Sequence, residues 1–374
     1  MNNNISLILP VCGDPLISYI WYKNFEKYKS HINNVFVSVD YLHSYNQNIN
    51  KQDEVTQYLT NFYKNIGIND IIFNNGISEH GKNIRHLLNV FEKKIEKDVL
   101  ICEEDCFILN KDLFTEKINE YFKYDYDIFG TSLNLNINDK LSKFLNDIIE
   151  SKNLIITDRT GSYSFSFWPA FYLTKKIHLY KSSMHFEAKS YFKDDHIKIL
   201  DREYFILENF SLDTFREYFF EVLKNTDIKK ILINTKSVSN LYKNFFEWDQ
   251  IDNFIDFHLN GTSVFSSNLF WIENSYKESA VTKLKALTSI NNLVGTFDWY
   301  KTIKMYYKML LKLNPDEFYY YKNYKDNLEN LLFVYENEYN IIEQLKNNFY
   351  QHDIENYGIS DYYSNKIINQ IFKM

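Results

Sequence analysis

Short apolar runs alternate with amphipathic stretches through the first hundred residues of this 374-residue chain, an order that few architectures can use. Ile5-Ser6-Leu7-Ile8-Leu9 reads as a buried strand, ended by Pro10 and the turn-forming Gly13-Asp14-Pro15. Leu16 to Tyr28 follows with Ile17, Ile20, Trp21 and Phe25 at helical spacing. Val35 to Val39 is a second strand, closed by Asp40. Val55 to Ile66 then reads as a helix, Ile71 to Phe73 as a strand, Asn83 to Ile95 as a helix and Val99 to Cys102 as a strand. Apolar strands separated by helices at this spacing predict an α/β fold, a mostly parallel sheet with helices on both faces. Ligands of such sheets bind beyond the carboxyl ends of the strands. Asp14, Asp40 and the triplet Glu103-Glu104-Asp105 all stand at such ends.

The triplet is the sharpest of these signals. Three adjacent carboxylates repel one another, which is tolerable where a strand end is exposed or faces a cation. Downstream, Leu113 to Phe122 reads as a helix and Asp127 to Ser132 as a strand running into a polar turn. Ser162 to Thr174 reads as strand, turn, strand around Trp168-Pro169, and Lys193-Asp194-Asp195-His196 forms a second acidic site. From Lys277 to Met374 the periodicity is helical, with Pro315 the only proline. The expected division is a sheet-bearing domain over residues 1–275 and a mainly helical region over 276–374, and any oligomer is expected to form through the latter.

Composition removes several classes. A hydrophobic fraction of 45% with 18% aromatics excludes a disordered chain, and 9 Gly with 4 Pro are too few turn residues for a large all-β protein. The net charge of −7 argues against nonspecific nucleic-acid binding. No apolar run reaches the length of a membrane span, and no leader pattern opens the sequence. Cys12, Cys102 and Cys106 lack zinc-type spacing and are expected to be reduced thiols of a cytoplasmic protein.

The order of these motifs resembles the nucleotide-sugar-dependent glycosyltransferases of the GT-A fold, and within them the N-acetylglucosaminyltransferase I type. In that type a helix with an Arg-His pair precedes a strand ending in Glu-Asp-Asp. Here Asn83-Ile84-Arg85-His86-Leu87-Leu88 precedes Val99 to Asp105, with Glu-Glu-Asp in the acidic position. Phe129 to Asn134 matches the following strand and turn, Ser166 to Phe171 the acceptor-side segment, and Tyr191-Phe192-Lys193-Asp194-Asp195 the aromatic-Asp-Asp motif. The resemblance implies transfer of a hexosyl or N-acetylhexosaminyl group from a UDP-type sugar to a hydroxyl of a glycan, protein or modified base, with inversion.

The resemblance also implies roles. Asp105 would hold Mn²⁺ or Mg²⁺ with Glu104 assisting, Glu103 would turn towards the helix layer, and His258 would be a late metal ligand. Pro10, Val11, Gly13, Asp14, Asp40, Arg85, His86, Glu103 and Glu104 would line the nucleotide-sugar site and Trp168 the acceptor side. Asp195, or its neighbour Asp194, would be the general base. Each has a plainer reading: a solvated strand end for the triplet, turn capping for Asp40, helix surface for Arg85 and His86, a helix cap for Asp194-Asp195, core for Trp168 and core or surface for His258. The competing functions are a nucleotidyltransferase, which lacks its Gly-rich basic loop at Pro10 to Asp14, and a binding or scaffold protein that keeps the fold without the chemistry.

Overall fold

A computed structural model describes residues 4–11, 13–40, 49–74, 80–132, 167–181, 186–187, 189–199, 202–205, 210–212, 215–234, 237–239, 252–259, 293–333, 336–337 and 361–373. The expectations placed on Cys12, on residues 133–166 and on residues 260–292 lie outside them.

Strand β1 (Ile5–Val11) is buried along its whole length, and β2 (Ile32–Asp40) and β3 (Asp70–Asn74) extend the sheet from it in parallel. On its other flank β1 pairs in parallel with the fully buried β4 (Asp98–Cys102). Strand β7 (Phe167–Lys175) lies antiparallel between β4 and β6 (Ile128–Ser132), and β12 (Ile231–Asn234) closes the edge parallel to β6. The seven-stranded order is β12-β6-β7-β4-β1-β2-β3, mostly parallel, as the sequence predicts.

The two-residue period of the strands divides the core into two layers. Leu7, Leu9, Val37, Val39, Leu100, Phe171 and Leu173 face one side, packing on helices α1 (Pro15–Phe25), α2 (Ile49–Asn65) and α4 (Lys111–Lys123). Ile8, Phe36, Val99, Ile101, Ile128 and Tyr172 face the other, covered by α3 (His80–Phe91), α5 (Lys176–Lys181) and α6 (Arg216–Asn225). Each fully buried Leu or Ile contributes roughly 1.5–3 kcal/mol to holding these layers together.

Two expected breaks in strands are absent. β1 continues through Pro10, which pairs in register with Ser38, whereas the β4 ladder stops at Ile8. A residue without an N–H is tolerated there because one flank of β1 has no ladder partner. Trp168-Pro169 likewise falls inside the continuous strand β7, not in a turn. Pairing with β4 begins only at Phe171, and the β6 register is irregular between Gly130 and Ser132, so neither neighbour requires the proline's missing donor.

The described C-terminal elements are the helices α7 (Leu293–Leu310), α8 (Tyr321–Phe333) and α9 (Asp361–Phe372), with Pro315 in the turn between α7 and α8. They join the α1 side of the core through Ile303, Tyr306, Met309, Leu328, Ile367 and Ile371. Polar ties fix the docking. Asn24 donates to the carbonyls of Ile108 at 2.9 Å and Ile371 at 3.0 Å, and Lys27 donates to Ile108 at 3.0 Å and to Gln370. Burial lowers the Lys27 pKa to about 8, the nearby Lys373 charge adding to the effect. No helix among the described residues is long and apolar enough to cross a membrane.

Candidate active site

The acidic triplet lies beyond the carboxyl end of β4. There the chain turns, with the Cys106 N–H donating to the Glu103 carbonyl at 3.1 Å, and enters the short strand β5 (Cys106–Ile108). β5 leaves the main sheet to pair antiparallel with β14 (Asp256–His258), which β13 (Ser237–Ser239) flanks in parallel. The register sets His258 opposite Cys106, and the Leu259 N–H reaches the Asp105 carbonyl at 2.9 Å. Asn234, at the end of β12, donates to Asp256 at 3.4 Å and ties this ribbon to the main sheet.

The ladder thereby brings a histidine over the turn. His258 Nε2 lies 3.0 Å from Glu103 Oε2 and 3.1 Å from Asp105 Oδ1. One ligand atom each from Glu103, Asp105 and His258 falls within 4.8 Å of the others. Asp105 and His258 are buried, and Glu103 is partly so. Burial acts to lower the His258 pKa, but the Asp105 charge and hydrogen bonds to Asp105 and Glu103 outweigh it and raise the value to about 10. In the metal-free protein the imidazole is then held as a cation beside Asp105 and Glu103. Two carboxylates and an imidazole on strand-held backbone are a donor set that suits a divalent transition ion such as Mn²⁺. By that chemistry, the residues fit the cation implied by the sequence.

The assignment within the triplet differs from the sequence expectation. Glu103, expected to turn towards the helix layer, is the one that joins Asp105. Glu104, expected to assist, is buried and stands outside the group. Residues two apart in this tight turn, Glu103 and Asp105, reach the same ring nitrogen, and Glu104 between them does not. His258, an expected late metal ligand, joins the cluster because the β5–β14 ladder brings it to the turn.

The other expected residues are distributed around the strand ends. Pro10 and Val11 are buried in the last positions of β1, and Gly13 adopts φ +80°, a conformation that favours glycine. Asp14 is fully buried. Its Oδ1 caps α1, accepting from the N–H groups of Leu16 at 2.8 Å and Ile17 at 3.0 Å, and also takes the hydroxyls of Tyr306 at 3.2 Å and Tyr324 at 2.9 Å. That carboxylate serves the junction between α1 and the C-terminal helices. Asp40 is buried at the end of β2, in register with Asn74. Two positions earlier, Ser38 joins Asn74 and Asn83 in a buried polar network, with Asn74 donating to Ser38 and Asn83 at 2.6 Å each.

Arg85 lays its guanidinium 4.4 Å over the Phe186 ring and faces Glu187 at 3.9 Å, whereas His86 is on the exposed face of α3. Asp194 and Asp195 are exposed in the turn between β8 (Lys189–Tyr191) and β9 (His196–Ile199), so they cap no helix. Asp194 takes φ +71°, and Asp195 Oδ2 accepts the Phe192 N–H at 2.9 Å. Among the described residues, no hydrogen bond or ion pair links either to the acidic turn. Trp168 is in β7. A residue the sequence reading missed is His80, whose Nδ1 lies 3.3 Å from Glu103 Oε1. A histidine directly before Gly81 at a helix start was the available signal.

No protein-family model matches the chain, and no curated protein matches its sequence. Solved structures similar to it include S. aureus TarS residues 1–349, with TM-score 0.37 and 12% identity, covering 90% of this chain and 92% of that one. The same S. aureus fragment in complex with UDP gives TM-score 0.36 and 11% identity at the same coverage. Nothing in these comparisons points to the N-acetylglucosaminyltransferase I type. The functional reading is carried by the cluster itself.

Proposed function

We propose that the chain is a metal-dependent glycosyltransferase that moves a sugar from a nucleoside-diphosphate sugar, UDP-linked, to a hydroxyl acceptor with inversion. The observation that supports it is the convergence of Glu103, Asp105 and His258 beyond the carboxyl end of β4, where α/β sheets bind ligands. These three side chains would hold Mn²⁺ or Mg²⁺. When bound, the ion would offset the negative charge that develops on the diphosphate leaving group.

The chain's own residues supply the rest. Asp40 is the proposed hydrogen-bonding group at the neighbouring strand end, where the base and ribose would lie, and the buried Ser38-Asn74-Asn83 network holds that end of β2 in place. Arg85 brings a cation on the helix after β3. Asp195, exposed and acceptor-only when ionised, is the proposed base that takes the proton from the acceptor hydroxyl of a glycan, protein or modified base. Residues 1–275 would form the catalytic domain, with the 276–374 region buttressing the α1 face.

The test is a donor screen with the full chain, each nucleotide sugar incubated with and without Mn²⁺ while free nucleoside diphosphate is measured. Metal-dependent release of UDP from one donor is expected. Release of pyrophosphate from a nucleoside triphosphate would move the assignment to a nucleotidyltransferase, and neither binding nor turnover with any donor would favour a scaffold.

A further inference from the structure

Glu103 is gripped from two sides. Its Oε2 faces His258 at 3.0 Å, while its Oε1 lies 3.3 Å from Nδ1 of His80, which belongs to a different element. A carboxylate without a proton only accepts hydrogen bonds, so a hydrogen lying between these two atoms belongs to His80 Nδ1. Each oxygen thus has its own imidazole.

The element carrying His80 is rigid. His80 opens α3, and its side chain is about three-quarters buried. The next residue, Gly81, touches the backbone of Phe186 and Glu187 so closely that a Cβ there would stand 2.3 Å from the Phe186 carbonyl oxygen. Asn83 accepts hydrogen bonds from Ser38 and Asn74, and Ile84, Leu87 and Leu88 are buried against the sheet. The imidazole that faces Glu103 is therefore presented from a packed helix end.

We infer that His80 is a positioning residue, which locks the Glu103 side chain in the orientation that offers Oε2 to a divalent cation; the inference rests on the metal reading of this site. A glutamate has three rotatable side-chain bonds, and freezing them beforehand removes an entropic cost from cation binding. Among the described residues the ion-pair contact of His80 is with Glu103, and it acts through that residue.

The test uses the full chain without donor or turnover. Mn²⁺ is titrated in and free Mn²⁺ is read by electron paramagnetic resonance, with melting temperatures of the metal-free proteins measured alongside. His80→Ala is expected to weaken Mn²⁺ binding by about 10- to 100-fold, the range for lost partners of a metal ligand. His80→Asn, which keeps a donor near the position of Nδ1, is expected to recover most of that affinity, with metal-free melting temperatures unchanged. Wild-type protein that binds no Mn²⁺ overturns the metal reading and this inference with it. Wild-type binding matched by His80→Ala overturns the role of His80 alone. A loss that His80→Asn does not repair does the same, since the hydrogen bond would not be its cause.

Discussion

Gly81→Ala sets two well-characterised effects against each other. On propensity alone alanine stabilises a helix over glycine, by about 0.8–1.0 kcal/mol in a helix interior and less in the first turn. Geometry opposes this. The added Cβ would meet Phe186 O at 2.3 Å, Phe186 C at 2.4 Å and Glu187 N at 2.7 Å. All three are backbone atoms, so no side chain can swing away. Restoring ordinary contact requires the helix end and the 186–187 segment to separate by about 1 Å. That segment is itself pinned, because the Phe186 carbonyl accepts the Phe215 N–H at 2.8 Å and the two rings stack at 4.6 Å. Forced overpacking of this kind costs about 1–3 kcal/mol, more than the propensity gain at this position. The net loss is about 1–2 kcal/mol, or roughly 1–3 °C in melting temperature for a chain of this size. Thermal unfolding followed by circular dichroism without metal would read it. A melting temperature equal to or above that of wild type would refute the reasoning, since propensity would then have won and α3 could not pack on 186–187 as described.

Three further outcomes are expected. Asp105→Asn should abolish Mn²⁺ binding in calorimetry while leaving the fold intact by circular dichroism; retained affinity would remove Asp105 from the metal group. Tyr324→Phe deletes a hydroxyl that donates to the buried Asp14 at 2.9 Å and should cost about 1–2 kcal/mol in urea unfolding, with Tyr306→Phe, at 3.2 Å, costing less; two neutral variants would show that the junction does not depend on these bonds. The His258 pKa is raised from 6.5 in the unfolded chain to about 10 in the fold, so its contribution to metal-free stability is complete below pH 6.5 and is lost as pH rises through 10. Lys27, lowered to about 8, works in the opposite sense between pH 8 and 10.5, so the measurement is the difference between wild type and His258→Gln across that range. A difference that does not shrink with rising pH would refute the charge state assigned to His258.

The strand and helix order was legible because β1 and β4 are buried throughout and mostly apolar, and the helices carry their period clearly. Where the reading failed, the deciding information was nonlocal. Pro10 and Pro169 are turn signals in isolation, and only the missing ladder partners make them tolerable inside strands. The carboxylate of Asp14 appeared free for a ligand, because the tyrosines that occupy it come about three hundred positions later. The choice between Glu103 and Glu104 depends on which way a four-residue turn projects its side chains, which no periodicity encodes. β5, β13 and β14 are three residues each, too short for a pattern, and they alone bring His258 to the triplet. The acidic turn could be named from the sequence, and His258 only through the resemblance; His80 was missed.

The pairing of β5 with β14 also fixes when the site comes into being. Asp105 and His258 are 153 positions apart. At synthesis rates of about 5–20 residues per second, roughly 8–30 s separate their emergence from the ribosome. Through that interval the nascent chain presents three carboxylates without β14 and without the His258 imidazole. An ion captured then would be held by acids alone, with the loose selectivity of a carboxylate cluster. The mixed nitrogen and oxygen set exists only once β14 has docked. On the proposed metal reading, the choice of ion would be made by the finished fold, after translation has passed residue 258.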